Sequence, residues 1–436
     1  MFIMSEDILV LGLGVSGCAA SEALISRGYR VCAVDDHPTD LIHEWAANLP
    51  LELLPTPKSD KWDTLLQGFS QIVLSPGIPD GHPVFDAASR VGSSIIDEGD
   101  LASKWDDRPR CAVTGTNGKT TVVTLVTEML RRSGLNAFAA GNLETPVVTA
   151  IENTSADCFV IEASSFRLAH SFSFKASPAV WLNFAPDHLD HHLNLDSYLH
   201  AKKRVWEGVA KESDALANFS DSIVKQYAPE GATGFGVIDS CSYIEGFNLL
   251  LEEDAILDIR DLPRHMPHDL ENAQAALLLA NKFGASIESC IETLRGFEGL
   301  QHRVELVAKK NGISFINDSK STTPHSTLSA LRGLQDVVLI AGGKNKGLDL
   351  TLLKESQPFA VIAIGEAAGE ITEIFKDVCS IEIATTMNEA VEMAYRKAPP
   401  SGTVLLSPAC ASFDWYGSYS ERGLDFIRAV SELEMF

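Results

Sequence analysis

The stretch CAVTGTNGKTT at residues 111–121 joins an apolar run, a turn with two glycines and the start of an amphipathic segment that continues to residue 132. This order predicts a strand, a loop and a helix. Glycines let backbone N–H groups approach phosphate oxygens, and a helix N-terminus adds donors and positive potential. Lys119 would reach the β- and γ-phosphates of a nucleotide, and the Thr120 hydroxyl would bind Mg²⁺. The spacing is the short G-x-x-G-K-[ST] form, and we interpret it as a phosphate loop rather than an ordinary turn.

Two further segments place polar groups at the ends of predicted strands. Glu162 ends the apolar run of CFVIEASSF, where a carboxylate is expected as a second Mg²⁺ ligand; a helix cap is the alternative. DHLDHH, residues 187–192, follows AVWLNF, and such dense histidines suggest metal or acid–base chemistry. The spacing is not H-E-x-x-H and no thiolate is near, so a structural zinc site is not predicted. We expect one histidine to contact Mg²⁺ or a substrate carboxylate.

Lys202 lies on a largely apolar face of a helix predicted at residues 196–211. Helical spacing puts Tyr198, Lys202 and Val205 on that face. Two interpretations stay open at this point. The lysine stem could lie along apolar surface with its amine in water, or the amine could be desolvated and available for chemistry or modification.

A second glycine loop occurs at the N-terminus, in ILVLGLGVSGCAASEAL at residues 8–24. Gly12, Gly14 and Gly17 have the G-x-G-x-x-G spacing of dinucleotide-binding proteins, and Asp35 ends the next apolar run, where a ribose-binding carboxylate would lie. An NAD(P)-dependent oxidoreductase is therefore one interpretation of the chain. It leaves the phosphate loop at residues 115–121 without a purpose.

Short apolar strands alternate with amphipathic helices along most of the 436 residues. This alternation predicts an α/β fold of three consecutive domains with mainly parallel sheets. The boundaries are predicted at residues 1–106, 107–299 and 300–436. KWDDRPR at 104–110 is interpreted as a linker, and residues 233–261 as a small antiparallel insertion.

Composition narrows the classes of partner. The chain has 35 Lys and Arg against 59 Asp and Glu, a formal net charge of −24, which disfavours nucleic-acid binding. Its apolar runs are too short to span a bilayer, and the first residues, MFIMSED, are too short and too acidic for a signal peptide. We therefore expect a cytoplasmic protein with no nucleic-acid or membrane partner, and we also expect a monomer.

The C-terminal third carries NDSKSTTP, GGKNKG and LLSPACASFDWYGSY after three predicted strands. Lys320, Lys344 and Lys346 concentrate positive charge there in an acidic protein. An anionic ligand and a set of solvated lysines in glycine- and serine-rich turns are equally compatible with this pattern.

The motifs together identify a family. SPGIP, GTNGKTT, EASSF, APDHLDHH, AKKR, HR, NDSKST and LLSPACASFD occur in the order and approximate spacing of the Mur ligases of peptidoglycan synthesis, which the whole chain resembles. EASSF, NDSKST and SPACASFD are most similar to the D-glutamate-adding members. The resemblance implies a Rossmann-like domain that binds a UDP substrate, a central ATPase domain and a C-terminal, dinucleotide-fold-like domain that binds the amino acid. The N-terminal glycine loop would then cradle the diphosphate of UDP instead of NAD.

The resemblance also implies a reaction. ATP would phosphorylate the carboxylate of UDP-N-acetylmuramoyl-L-alanine, and the amine of D-glutamate would attack the acyl phosphate and expel phosphate. The implied cofactors are ATP and Mg²⁺ at two sites. The implied catalytic residues are Lys119, His188, Lys202 and Lys320.

Further residue roles follow from the same resemblance. The implied metal ligands are Thr120, Glu162, His188 and Lys202, the last as a carbamate. The implied ATP contacts are Gly115, Thr116, Asn117, Gly118, Lys119, Thr120, Thr121, Asn272, His302, Arg303 and Asp318. The implied UDP-substrate contacts are Gly14, Val15, Ser16, Asp35, Asp36, His37, Ser75, Gly77, Asn142, Ser164 and Arg167. The implied D-glutamate contacts are Thr322, Lys346, Ser412, Phe413 and Tyr419.

The chain departs from the family pattern at a few positions. Glu144 stands where glycine is frequent, Asp269 where asparagine is usual, and Tyr419 where phenylalanine occurs. Arg167 replaces a glutamine and could add charge near the substrate, and His37 replaces an arginine that packs on uracil in some members.

Two other classes of protein are compared with this interpretation. A related Mur-type or folylpolyglutamate-type ligase would use a different acceptor, but folate ligases lack the N-terminal unit of 106 residues. A non-catalytic nucleotide-binding regulator would not need both sets of magnesium ligands and the lysine cluster.

Overall fold

A computed structural model of the protein describes residues 7–58, 61–142, 145–189 and 191–433. Glu144 lies outside the described residues. The chain forms two compact units. The first comprises the described parts of Met1–Phe184, His188–Asp261 and Asn272–Arg295; the second comprises those of Ala185–Asp187, Leu262–Glu271 and Gly296–Phe436.

The first unit begins with a five-stranded sheet that is parallel throughout. Its strands are β1 (Asp7–Leu11), β2 (Arg30–Val34), β3 (Leu51–Leu53), β4 (Gln71–Leu74) and β5 (Ser94–Ile96), in the order β3-β2-β1-β4-β5. The helices between and after them are α1 (Val15–Ser26), α2 (Asp40–Ala47), α3 (Trp62–Leu66), α4 (Pro83–Val91) and α5 (Glu98–Trp105). The central strands are continuous buried apolar runs, as expected when helices cover both faces of a sheet.

A nine-stranded sheet follows in the same unit, in the order β14-β13-β12-β11-β10-β9-β6-β8-β7. Its strands are β6 (Arg110–Thr114), β7 (Ala137–Gly141), β8 (Cys158–Glu162), β9 (Ala179–Trp181), β10 (Ala215–Asn218), β11 (Thr233–Phe235), β12 (Ser242–Glu245), β13 (Asn248–Leu251) and β14 (Asp254–Asp258). The helices along this stretch are α6 (Lys119–Arg132), α7 (Val147–Ala150), α8 (Ser165–His170), α9 (Leu195–Lys203), α10 (Ser222–Tyr227), α11 (Pro267–Phe283) and α12 (Ile287–Gly296).

Three local predictions need correction. The helix predicted at 196–211 ends at Lys203 and continues only as a short 3₁₀ turn, Arg204–Trp206. The antiparallel insertion is confirmed for β12–β14, but β11 pairs in parallel with β10, so the segment extends the central sheet. The linker at 104–110 is shorter than predicted, because α5 includes Trp105 and β6 begins at Arg110.

The second unit contains a six-stranded sheet in the order β15-β16-β20-β17-β18-β19, with β15 antiparallel at one edge. Its strands are β15 (Glu305–Lys310), β16 (Ile313–Asn317), β17 (Val337–Gly342), β18 (Ala360–Ile364), β19 (Ser380–Ile383) and β20 (Thr403–Ala409). Its helices are α13 (Pro324–Leu331), α14 (Ala368–Phe375), α15 (Met387–Lys397) and α16 (Tyr419–Glu432).

Three mostly parallel sheets confirm the α/β class, while the predicted domain boundaries stay a prediction. Among the described residues, no helix is both long and apolar enough to cross a membrane.

Candidate active site

The loop at residues 115–118 connects β6, in the interior of the nine-stranded sheet, to the N-terminus of α6. Gly118 precedes the helix with φ of 84°, and a Cβ there would lie 2.3 Å from Asn272 Oδ1. Glycine is therefore required both by the backbone conformation and by the close approach of Asn272. This strand–loop–helix arrangement confirms the local structure predicted for the phosphate loop.

The charged end of Lys119 is folded over this loop. Its Nζ donates hydrogen bonds to the carbonyl oxygens of Gly115 at 2.8 Å and Thr116 at 2.9 Å. The Thr116 hydroxyl lies 3.0 Å from the hydroxyl of Tyr198 on α9. A positive charge held against glycine-rich backbone at a helix N-terminus is suited to phosphate oxygens.

Asn183, which follows β9, holds the other side of the loop and was not singled out from sequence. Its Oδ1 accepts a hydrogen bond from the Asn117 backbone N–H at 2.8 Å, and its Nδ2 donates to the Asn117 carbonyl at 3.2 Å. The signal that could have found it is its position just after a buried strand beside β6.

Lys202 reaches the same loop from α9. Its Nζ donates to the Gly115 carbonyl at 2.7 Å and lies 4.7 Å from the centre of the Tyr198 ring, and the residue is 1% exposed. The amine is thus buried, which excludes the interpretation of an apolar stem with its charge in water. The structure brings Lys202 together with the phosphate loop.

Glu162 at the end of β8 offers one unsatisfied carboxylate oxygen. The residue is 3% exposed and lies opposite Val113 of β6 in the sheet register. Its Oε1 accepts from Asn142 Nδ2 at 3.2 Å, whereas its buried Oε2 has no hydrogen-bond partner among the described residues. A buried carboxylate oxygen without a partner is costly, and a hard divalent cation such as Mg²⁺ would satisfy it. The residues present therefore fit a magnesium ion.

His188 lies just beyond β9 and has a left-handed backbone conformation, with φ of 57°. Burial, and then the positive charges of Lys119 and Lys202, lower the pKa of its imidazole to about 2. The ring is neutral at pH 7 and keeps a lone pair, which suits a metal ligand or a hydrogen-bond acceptor.

The N-terminal glycine loop is built by close backbone approach. A Cβ on Gly17 would lie 1.8 Å from the Gly12 carbonyl oxygen, so glycine alone allows α1 to start against β1. Both oxygens of Asp35 accept backbone N–H groups, from Leu13 at 2.6 Å and from His37 at 2.9 Å. Asp35 therefore shapes the loop itself.

Arg167 forms ion pairs with two buried carboxylates of the first unit. Its guanidinium is 1% exposed and pairs with Asp97 at 2.9 Å and with Glu98. Glu98 also accepts the backbone N–H groups of Val147 and Val148. These contacts join α5 to α8 and α7 within the first unit. A contact between Arg167 and a substrate stays a prediction, and the structure gives its charge two carboxylate partners.

In the second unit, Asp318 is held in a buried polar setting at the end of β16. Its carboxylate accepts from Ser407 Oγ at 2.7 Å and from the Val304 N–H at 3.2 Å. Burial raises the pKa of Asp318 to about 6, against the effect of its hydrogen bonds. Nearby, His302 Nδ1 lies 2.8 Å from Asn317 Nδ2.

Two lysines of this unit lie against aromatic rings. Lys320 Nζ is 3.8 Å from the centre of the Tyr419 ring, and Lys346 Nζ is 5.3 Å from that of Phe413. Burial opposes ionisation of Tyr419, but the charge of Lys320 prevails and lowers the pKa of the phenol. Because β16, β20 and β17 are parallel neighbours, the loops after them emerge at one edge of the sheet.

The remaining predicted residues lie on or beside the same loops. Ser164 caps α8 by accepting from the Arg167 N–H at 3.3 Å, Asp36 lies 3.2 Å from His82 Nε2, and Val15 is 68% exposed. The others are Gly14, Ser16, Ser75 and Gly77 in the first sheet region, Thr120 and Thr121 in α6, and Arg303, Thr322 and Ser412 in the second unit. Their binding roles stay predictions.

Family models match three parts of the chain. They are described as Mur ligase MurD-like, N-terminal domain, at residues 6–97; Mur ligase middle domain, at 113–240; and Mur ligase, glutamate ligase domain, at 302–410. The UDP-N-acetylmuramoylalanine--D-glutamate ligase of Thermoanaerobacter sp. (strain X514) is 32% identical over 452 residues, covering 99% of this chain and all of the relative. The chain belongs to the Mur ligase family.

Other Mur ligases agree with this assignment. The proteins of the same printed name from Desulfitobacterium hafniense and Hahella chejuensis are each 36% identical, over 99% of this chain and 98% and 100% of theirs. Among solved structures, UDP-N-acetylmuramate-alanine ligase MurC from Thermotoga maritima has a TM-score of 0.60 at 16% identity, covering 98% of this chain and 99% of that one. MurF from Acinetobacter baumannii has a TM-score of 0.59 at 15% identity, covering 98% and 92%. These structures support the same fold.

Proposed function

We propose that this protein is an ATP-dependent ligase that joins D-glutamate to UDP-N-acetylmuramoylalanine during the synthesis of peptidoglycan precursors. The observation that carries the proposal is the match along the whole chain to relatives with that printed name. The phosphate loop with Lys119 folded over it supports the use of ATP.

The reaction proceeds in two steps. The substrate carboxylate attacks the γ-phosphorus of ATP, giving an acyl phosphate and ADP. The neutral amine of D-glutamate then adds to the acyl carbon, and the tetrahedral intermediate collapses to the amide as phosphate leaves and the amine loses a proton. Both steps build negative charge on phosphoryl oxygens, so positive groups aimed at them lower the barrier. Lys119 would serve this role on ATP.

Thr120 and Glu162 would hold one Mg²⁺, and His188 and a carbamylated Lys202 a second. Mg²⁺ would neutralise phosphate charge and align the reacting groups. Glu162 Oε2, which has no hydrogen-bond partner among the described residues, and the neutral ring of His188 support these assignments. Carbamylation joins the uncharged amine of Lys202 to CO₂ with loss of one proton, and would place an anion beside Lys119.

The other binding roles follow the sequence predictions. The residues on the N-terminal glycine loop and after β4, with Asn142 and Ser164, would contact the UDP substrate. Asn272, His302, Arg303 and Asp318 would contact ATP. Lys320 would act near the transferred phosphate, and Lys346 would pair with the side-chain carboxylate of D-glutamate, with Thr322, Ser412, Phe413 and Tyr419 around it.

The location and assembly of the protein are part of the proposal. We propose a cytoplasmic monomer that works on small-molecule substrates. Size-exclusion chromatography with light scattering tests the monomer, and cell fractionation tests the location.

The deciding experiment measures phosphate release from ATP and Mg²⁺ in the presence of UDP-N-acetylmuramoyl-L-alanine. D-glutamate, L-glutamate, L-lysine and no amino acid are compared, and products are weighed by mass spectrometry. Release only with D-glutamate, with a product of matching mass, is expected. Phosphate release with a different amino acid would assign that amino acid as the acceptor. No phosphate release under any condition would contradict the proposal of a ligase.

A further inference from the structure

A cluster of one carboxylate and three histidines lies in the first unit beside His188, whose carbonyl oxygen accepts the backbone N–H groups of His191 and His192. Asp80, shortly after β4, lies with Oδ2 3.0 Å from His192 Nδ1 and with Oδ1 3.2 Å from His170 Nε2. One candidate ligand atom from each of Asp80, His191 and His192 can be chosen so that all three lie within 4.8 Å of one another. We refer to these four residues as the Asp80 cluster.

His191 carries the clearest sign of a missing partner. Its Nε2 lies 2.9 Å from the carbonyl oxygen of Pro76, and because a carbonyl only accepts, Nε2 must carry the proton. In the neutral ring Nδ1 is then a bare lone pair. This Nδ1 is buried and has no hydrogen-bond partner among the described residues.

His192 lies between Asp80 and Ser165. Its Nε2 lies 3.0 Å from the Ser165 hydroxyl, while Nδ1 faces the Asp80 carboxylate. Histidines that bind metals commonly use one nitrogen on the ion and donate the other N–H to a carbonyl or another oxygen. Pro76 supplies such an acceptor to His191. In His192 the Nδ1–H donates to the Asp80 carboxylate and Nε2 accepts from Ser165; an ion at Nδ1 would take the place of that proton, and Nε2–H would then donate to Ser165 Oγ.

Asp80 supplies the carboxylate of the donor set, and His170 lies beside it. Its Oδ2 accepts the His192 Nδ1–H at 3.0 Å, and His170 Nε2 lies 3.2 Å from its Oδ1. The His170–Asp80 contact is close enough for an ion pair but is not a well-aligned hydrogen bond, so the buried Oδ1 accepts no hydrogen bond from the described residues. Among the described residues, His191 Nδ1 and Asp80 Oδ1 are therefore the two buried atoms of the donor set that have no hydrogen bond.

We propose that the Asp80 cluster binds a divalent transition-metal ion of the Zn²⁺ type. Imidazole nitrogens with one carboxylate favour Zn²⁺ and its neighbours over Mg²⁺, which prefers oxygen ligands. The ion would join the segment after β4 to α8 and the segment after β9, and so fix the N-terminal sheet region to the central sheet. Its role would be structural, including support of the segment that carries His188.

Sequence spacing could not indicate this site. HH at residues 191–192 matches no zinc-finger pattern, and the carboxylate comes from a residue 112 positions earlier. Only the packing of the two sheet regions within the first unit brings the groups together.

The test is a titration of chelator-treated protein with Co²⁺ in excess Mg²⁺. One equivalent should bind, with the visible absorption of a four- or five-coordinate ion, and Zn²⁺ should displace it. Asp80→Asn and His191→Ala should weaken binding by more than about 100-fold, beyond the roughly 10–100-fold typical of losing an outer-shell contact. His200→Ala is the matched control, since its side chain is 57% exposed and outside the cluster.

A second variant separates this site from the magnesium ligands. Glu162→Gln should bind Co²⁺ as the wild type does. X-ray absorption of the Zn²⁺-loaded wild type should show imidazole scattering from at least two histidines, a result independent of how any variant folds. The proposal is overturned if the wild type takes up no stoichiometric Co²⁺, if affinity is unchanged in Asp80→Asn and His191→Ala, or if Glu162→Gln abolishes binding. None of these outcomes bears on ligase activity.

Discussion

The two glycine loops of the first unit share a geometry and differ in charge. Each follows an interior parallel strand and opens a helix, β1–α1 in one case and β6–α6 in the other. Beside the first loop lies a carboxylate, Asp35, which binds the Leu13 N–H. On the second lie two amines, Lys119 and Lys202, both bonded to the Gly115 carbonyl. The shared geometry suits phosphate in both places, but only the second loop carries side-chain charge that matches a triphosphate.

This difference separates positioning from chemistry. A loop whose positive potential comes from backbone and helix terminus can hold a substrate's diphosphate. Transfer of a phosphoryl group requires additional fixed charge where negative charge develops. We therefore expect variants at the two loops to affect different steps.

The largest effect is expected at Lys119. Lys119→Ala removes the charge over the second loop and should lower kcat/KM for ATP by about 10²–10³-fold, as for the loss of one transition-state donor. Phosphate release measures it. Lys225→Ala, an exposed lysine on α10, should behave as wild type. A Lys119→Ala enzyme of near-normal rate would contradict the assignment of charge to this loop.

The next effect is expected at Glu162. Glu162→Gln keeps the shape and removes the charge that a magnesium ion needs, so activity should fall by about 10–100-fold at limiting Mg²⁺. The loss should shrink as Mg²⁺ is raised, which a titration of initial rate against Mg²⁺ shows. Glu152→Gln, with a side chain 60% exposed, serves as the control. If the loss of activity in Glu162→Gln were the same at every Mg²⁺ concentration, Glu162 would not be a metal ligand.

At the first loop a change of shape is expected to matter more than a change of charge. Gly17→Ala places a Cβ 1.8 Å from the Gly12 carbonyl oxygen and should destabilise the protein by about 1–3 kcal/mol through forced backbone displacement. Urea unfolding measures this, and KM for the UDP substrate should rise while that for ATP stays. Gly369→Ala in α14, where a Cβ meets nothing within 4 Å, should leave stability unchanged or slightly raised. If Gly17→Ala raised the KM for ATP as much as the KM for the UDP substrate, the two loops would not act on different substrates.

The smallest effect is expected at Asp35. Asp35→Asn keeps one acceptor oxygen for the Leu13 or the His37 N–H and loses the other bond, which should cost about 1 kcal/mol. The KM for the UDP substrate should rise only a few-fold. Asp40→Asn, at the exposed start of α2, is the comparison. Stoichiometric NADH binding by the wild type that Asp35→Asn abolishes would instead favour the oxidoreductase interpretation.

The sequence by itself determined the α/β class and the phosphate loop, because strand, glycines and helix are contiguous at residues 111–132. Helical spacing likewise placed Lys202 on an apolar face. The same spacing continues past residue 203, so the sequence gave no sign that the helix ends at Lys203. The short strand β3 gave no clear signal in the sequence, because LEL is only three residues long and not fully buried.

The tertiary structure decided where side chains from distant segments meet. It buried the amine of Lys202 at the Gly115 carbonyl, 87 residues earlier in the chain, and paired Arg167 with Asp97 across 70 residues. It also assembled the Asp80 cluster. Such contacts depend on how sheets and helices pack, which neither local spacing nor composition encodes, because burial and charge pairing become defined only when the whole unit has folded.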